Sequence, residues 1–173
     1  MDSNNQHWQD CYPHLIYLVN DFILWHLPRV RERFGGDLDT AMILGEIAHF
    51  NIQRFFLHYS QPSSIFTQAL INAKSSPFYA ESADLGCLIK KCNALSISDA
   101  TGIPRETVRR KIKWLEQQGW IVKDEKGYLS VSTTTSEAFK EFNIEMLHKF
   151  LATAEQINKL LQKNSELSDV AQQ

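Results

Sequence analysis

The sequence predicts a mainly α-helical chain carrying one small β-hairpin. Three observations carry that expectation. Apolar residues recur every three or four positions across 15–27, 43–59 and 139–161, the period of a helix with one face inward. A Gly-Ile-Pro break at Gly102, Ile103 and Pro104 divides two helical patterns by a very short turn. After Gly119 the period of 3.6 gives way to two short extended runs flanking Asp124-Glu125-Lys126-Gly127, a turn sequence.

A first helix is expected from near Pro13 to Leu27, with Leu15, Ile16, Val19, Phe22, Ile23 and His26 as a broad apolar stripe. Pro28 ends or kinks it, because proline lacks a backbone donor and crowds the preceding turn. The Gly35-Gly36 pair stops any continuation, and Asp37 or Asp39 caps a second helix reaching about Tyr59. Its apolar residues Ile43, Ile47, Phe50, Ile52, Phe55, Phe56 and Tyr59 spread over more than one face, which predicts burial on two sides. The Ser/Pro/Gln-bounded stretch 60–77 holds an apolar middle, Ile65 to Ile71, readable as a short helix or an ordered loop. Leu85, Leu88 and Ile89 suit a helix over 81–92. Ser136 is expected to cap a long helix from Glu137 to about Gln162, with a seam of Phe139, Phe142, Met146, Phe150, Ala154, Ile157 and Leu161. The expected divisions are 1–80 for an N-terminal helical region serving dimerisation or an effector, 81–132 for the central unit, 133–163 for a C-terminal dimerisation helix and 164–173 for a polar, disordered tail.

Bulk properties set bounds. The 173 residues, 43 % apolar and 22 % charged, are ordinary for a soluble globular protein. Net charge is −2, but it is uneven. From Lys90 to Lys126 nine Lys or Arg face five acids, a local excess of +4 that leaves −6 on the remainder. An odd set of cysteines, Cys11, Cys87 and Cys92, makes a poor disulfide framework, and the polar start lacks the order of a signal peptide. A cytoplasmic location follows as an expectation. The most apolar run, Leu15 to Leu27, is interrupted by Asn20, Asp21 and His26 and falls short of the ~20 residues a bilayer span requires, so no membrane contact is expected.

The stretch from Leu95 to Val131 is the most informative. Ser96 and Asp99 have the spacing of a capping box, Gly102 permits a tight exit, Ile103 anchors the turn and Pro104 suits the first turn of the next helix. Two helices joined so closely have the geometry of a helix-turn-helix. In the second, Val108, Ile112 and Leu115 share the inward side, while Glu106, Arg109, Arg110 and Lys113 face outward with Arg105 and Thr107 near the N-terminus. The extended runs Trp120 to Lys123 and Tyr128 to Ser132 complete a hairpin wing whose Lys123 and Lys126 can reach phosphate, diluted by Asp124 and Glu125. The expected fold class is therefore mainly α, a winged helix-turn-helix with a small β-hairpin wing and flanking N- and C-terminal helices.

The residues IPRETVRRKIKWLEQQGWI, from Ile103 to Ile121, resemble the recognition helix and wing entry of prokaryotic winged helix-turn-helix transcriptional regulators of the MarR, GntR and Crp types. Helices before and after the module resemble the MarR architecture more than the others. The resemblance implies a transcriptional regulator that binds double-stranded DNA with a recognition helix at about 104–118 in the major groove. It places Arg105, Glu106, Thr107, Arg109 and Arg110 at DNA-reading positions. Arginine pairs bidentately with guanine, and Glu106 can accept from cytosine or orient a neighbouring arginine.

Other expectations concern partners. A C-terminal helix of roughly 26 residues would be about 39 Å long, longer than a small domain covers, so a homodimer is expected; packing on the chain's own N-terminal helices is the alternative. Two-fold symmetry would space half-sites ~34 Å apart. Trp25, Phe50, Phe55, Phe56 and Tyr59 can line a small-molecule effector pocket, or equally fill a core or interface. The six histidines show no HxxxH pair, and no phosphate loop or acid/base cluster is present, so neither a metal, another cofactor nor an enzymatic activity is expected. The alternative function is a winged-helix adaptor in a protein assembly, binding DNA at most non-specifically.

Overall fold

The computed structural model describes residues 3–58 and 91–171, with side chains described over narrower ranges within them. The chain is mainly helical with a two-stranded antiparallel hairpin. Its elements are α1 (Ser3–Arg33), α2 (Leu38–His58), α3 (Ala94–Thr101), α4 (Arg105–Gln117), β1 (Ile121–Lys123), β2 (Leu129–Val131) and α5 (Thr133–Ala171). Two compact units emerge, one of residues 1–33 with 141–173 and one of residues 34–140. These differ from the expected divisions, because α2 groups with the α3–α4 segment rather than with α1. The stretch 60–77, most of the 81–92 helix, and Phe55, Phe56 and Tyr59 as pocket residues lie outside the described residues or side chains.

In the first unit α1 runs well beyond the expected Pro13–Leu27, with both Pro13 and Pro28 inside it. Pro28 removes the amide that would bond the Leu24 carbonyl, and the residue after it makes a side-chain bond to the next carbonyl along. The Arg29 guanidinium donates to the Trp25 carbonyl at 2.9 Å and lies 4.0 Å from the centre of the Trp25 ring. The buried stripe of α1 also differs from the expected one. Cys11 and Leu15 are buried and Phe22, Trp25 and His26 half-buried, whereas Ile16, Val19 and Ile23 stay exposed. The inward stripe packs on α5: Phe22 meets Phe150 edge-on at 5.6 Å and His26 meets Phe142 at 5.7 Å. Asp21 pairs with Lys149 at 2.8 Å and Arg29 with Glu145 at 3.7 Å. Partners fall in number along α5 as they rise along α1, so the helices are antiparallel.

The second unit is built around α2. Asp37 caps it, its Oδ1 accepting from the Thr40 amide at 3.1 Å and its Oδ2 from the Thr40 hydroxyl at 2.7 Å. Thr40, Ile43, Leu44, Ile47 and Asn51 form one buried stripe, while Leu38, Met42 and His49 are exposed. Over these residues α2 shows one buried side; Ile52, Phe55, Phe56 and Tyr59, on which the expected second side rests, lie outside the described side chains. The stripe packs on α3, α4 and β2. Asn51 supplies the specific tie. Its Nδ2 donates to the Leu129 carbonyl at 3.2 Å and its Oδ1 accepts from the Val131 amide at 3.0 Å.

On the hairpin, Ile121 pairs with Val131 and Lys123 with Leu129. Cys92 adds an antiparallel bridge to Leu129, so the helix expected over 81–92 does not include its last residue. A ring cluster of Phe34, Trp114, Trp120 and Phe139 closes the opposite end, with centroids 5.2 to 5.6 Å apart. Helix α5 starts at Thr133, earlier than Glu137, because Ser132 reaches the cap position and its hydroxyl accepts from the Thr135 amide at 3.4 Å. It continues to Ala171, so the tail expected to be disordered from 164 is helical in backbone. Gln162, Lys163, Glu166 and Leu167 are good helix formers by intrinsic propensity.

Two outcomes follow. Asn51→Leu leaves the Val131 amide without a partner and the Leu129 carbonyl with only the weak Cys92 thiol donor, and should cost about 1–3 kcal/mol in urea-unfolding stability. His26 is half-buried with an unpartnered Nδ1, and burial, then the neighbouring Arg29 charge, pushes its pKa below 6.5. The neutral ring is the folded form, so its contribution is present above pH 6.5 and is lost as pH falls through the lowered folded value. Melting curves from pH 7.5 to pH 5 should show a drop that His26→Phe reduces.

Candidate nucleic-acid interface

Helix α3 begins one turn earlier than a Ser96 cap would place it. Asn93 is the cap, its Oδ1 accepting from the Leu95 amide at 2.9 Å and the Ser96 amide at 3.2 Å. The earlier start allows Ile97 to be fully buried within the helix. Gly102 ends α3 at φ +71°, a left-handed conformation that glycine adopts without strain, and its amide donates to the Ser98 carbonyl at 2.9 Å. The Ser98 hydroxyl donates to the Ile103 carbonyl at 2.8 Å, and Ile103 is buried. Pro104 stands at the cap of α4 rather than in its first turn, with its carbonyl accepting from the Val108 amide at 3.0 Å. Proline makes no side-chain cap bond there, so the first-turn amides of α4 point outward without that partner.

Val108, Ile112 and Leu115 are buried, as their spacing predicts. Arg105, Glu106, Arg109, Arg110 and Lys113 are exposed. Arg105, Arg109 and Lys113 lie in one row at i, i+4 and i+8. With Glu116 and with Lys123 from β1 they line a groove of about 630 Å³ between α4, the start of α3 and the hairpin. Its floor is apolar, formed by Leu95, Ile112 and Leu129, and Asn93 borders it. Glu106 lies beside this row and holds the Arg109 guanidinium at 3.4 Å. That exposed pair orients the arginine rather than stabilising the fold, since such contacts contribute ~0.5 kcal/mol or less.

The remaining candidates fall elsewhere. Arg110 is exposed about 100° round the helix from Arg109. Thr107 is half-buried and about 160° from Arg109, away from the groove. Lys126 is exposed at the hairpin tip and does not line the groove. Lys111, by contrast, is withdrawn from the surface by an ion pair with Asp37. Partial burial pushes the Asp37 carboxyl up, but the Lys111 ammonium and the bonds from Thr40 outweigh it and hold the carboxyl below its usual range.

The hairpin turn owes its form to an acid that looked like mere dilution. Asp124 Oδ1 accepts from the Lys126 and Tyr128 amides, both at 2.9 Å, and Gly127 turns the chain at φ +82°. Lys91 joins this end, 3.8 Å from Asp124 and 5.0 Å from the centre of the Tyr128 ring. Sequence reasoning assigned no role to Lys91, Asn93 or Leu95, although the Asn93 cap spacing to Ser96 was a readable signal. Cys92 is fully buried beneath the hairpin, and burial, helped by Glu46, pushes its thiol up to about 11.

Among the described residues no three His, Cys, Asp or Glu side chains group as a metal site requires, and no helix is long and apolar enough to cross a membrane. No protein-family model, curated protein or solved structure matches the chain.

The contrast between the two lysine and arginine environments is measurable. Asp37→Ala removes the α2 cap and leaves Lys111 half-buried without its partner, and should lower unfolding stability by about 1–3 kcal/mol. Arg109→Ala, at an exposed position, should stay within about 0.5 kcal/mol of the parent.

Proposed function

We propose that the chain is a sequence-specific double-stranded DNA-binding transcriptional regulator acting as a homodimer, with α4 as the recognition helix of a winged helix-turn-helix. The observation that carries the reading is the convergence of Arg105, Arg109 and Lys113 with Lys123 of the hairpin on a single groove, backed by the buried Val108, Ile112 and Leu115. An arginine row on a rigid helix offers guanine-pairing forks, and the outward amides of its first turn favour phosphate. The order α2, Cys92 bridge, α3, α4, β1, β2 is compatible with a winged helix that takes α2 as its first helix, and supports the same reading.

In this arrangement Arg105, Arg109 and Arg110 read or grip the duplex at the major groove. Glu106 orients Arg109 or accepts from a cytosine amino group. Lys113, Lys123 and Lys126 hold flanking phosphates, the last from the wing tip. Thr107 serves the helix start rather than base reading. A small-molecule effector, cytoplasmic location and regulator type close to the MarR group belong to the same proposal.

Selection of bound fragments from random genomic DNA tests it. One enriched, pseudo-palindromic sequence is the expected result; salt-sensitive binding without enrichment would favour a protein-assembly adaptor instead. Arg109→Ala with Arg110→Ala should weaken binding to the selected site by about 1–3 kcal/mol per lost base contact. The logarithm of affinity should fall linearly with that of salt concentration, less steeply for Lys123→Ala. An unchanged mobility-shift titration for the double variant would remove α4 as the reading element.

A further inference from the structure

The α1–α5 pair leaves one side uncovered. Taking about 100° per residue, Tyr12, Ile16, Val19, Ile23 and Leu27 of α1 lie on one flank of its inward stripe. Ile144, Leu147, Phe150 and Leu151 of α5 lie on the same rotational flank of theirs. Because the helices are antiparallel, the same rotational flank of each opens on the same side of the pair. The ion pairs confirm the sense: Asp21–Lys149 and Arg29–Glu145 close the other side.

These nine large apolar side chains each keep between 40 and 61 % of their surface in solvent. No Asp, Glu, Lys or Arg falls on that flank between Tyr12 and Val30 of α1 or between Asn143 and Ala154 of α5, and Glu155, paired with Lys159, borders its far end. The exposed apolar area sums to roughly 700 Å², above the few hundred Å² usual for a monomer's largest patch and near the ~800 Å² each partner contributes to a standard interface.

We infer that this face is covered by the same face of a second copy, making an antiparallel four-helix bundle of two α1–α5 pairs about a two-fold axis. The inference deepens the homodimer of the proposed function, rests on that part of the reading, and does not depend on DNA recognition. A charge-free apolar surface is complementary to itself, and a two-fold contact sets the same patch on both sides. Spacings of four and three along both helices, Ile16, Val19, Ile23 and Leu27 on α1 and Ile144, Leu147 and Leu151 on α5, are those of knobs-into-holes packing. The surface differs from the expected C-terminal seam: Met146 and Phe142 of that seam face α1, and α1 supplies half of the contact.

Sedimentation of the full chain at micromolar concentration should give twice the 20.0 kDa monomer mass. Ile16→Glu with Ile23→Glu, and separately Leu147→Glu with Leu151→Glu, should each raise the dimer dissociation constant at least about a hundredfold, since each buries unpaired charge. Helical circular dichroism should be unchanged, because all four positions are exposed in the single chain. Tyr17→Glu with Leu24→Glu, exposed but on the back of α1, should leave the mass at that of a dimer. Arg109→Ala with Arg110→Ala should also stay dimeric, so loss of DNA binding and loss of the dimer are read apart. A monomeric parent chain, as when residues 59–90 or a different protein cover the face, overturns the inference. So does a dimer that survives both folded Glu pairs.

Discussion

The buried amide of Asn51 is the interaction on which the assembly of the unit of residues 34–140 depends. A β-strand of three residues has almost no stability of its own, and β2 has a partner strand on one side only, extended by the single Cys92 bridge. Asn51 offers that strand both an acceptor and a donor from the middle of α2, as a neighbouring strand would. One amide thus fixes the height of the hairpin against α2, while the apolar stripe of the same helix seats α3 and α4. The groove between α4 and the hairpin exists because both walls are referred to a common helix.

Much of this was legible, and the reasons are local. The alternation of Val108, Ile112 and Leu115 with Arg105, Arg109 and Lys113 is written in the helical period, and burial follows it without exception. The turn at Gly102 and the hairpin around Gly127 rest on residues whose backbone freedom the fold uses directly. What was not legible depended on distance or on a choice between similar local options. Two caps with the same spacing, Asn93 to Ser96 and Ser96 to Asp99, compete for one helix start, and only the burial of Ile97 decides between them. Lys111 sits among cations in sequence but belongs to Asp37, 74 residues away. The role of Asn51 was invisible for the same reason: a polar residue in a helix carries no sign of a strand it will meet much later in the chain.

The apolar richness of α1 was visible but its direction was misread. Two faces of that helix are apolar, and composition cannot rank them. Packing does: aromatic residues Phe22 and His26 turn toward α5, and the branched residues Ile16, Val19 and Ile23 are left outward. The prolines tell a related story. Pro13 and Pro28 both lie inside α1, so a residue that usually ends a helix is here an interior one.

The separation between Asn51 and its two backbone partners, 78 and 80 residues along the chain, has a consequence for how the protein is made. At a synthesis rate of about 5–20 residues per second, α2 leaves the ribosome roughly 4 to 16 s before β2 exists. Ile43, Leu44 and Ile47 wait for α3 and α4 through the first part of that interval and for β2 through all of it. Contacts this remote slow the search for the native state, and α3 and α4 emerge after the helix they pack on. A fragment beginning after α2 would never acquire it. The groove between α4 and the hairpin is therefore completed late in synthesis, on a helix made early.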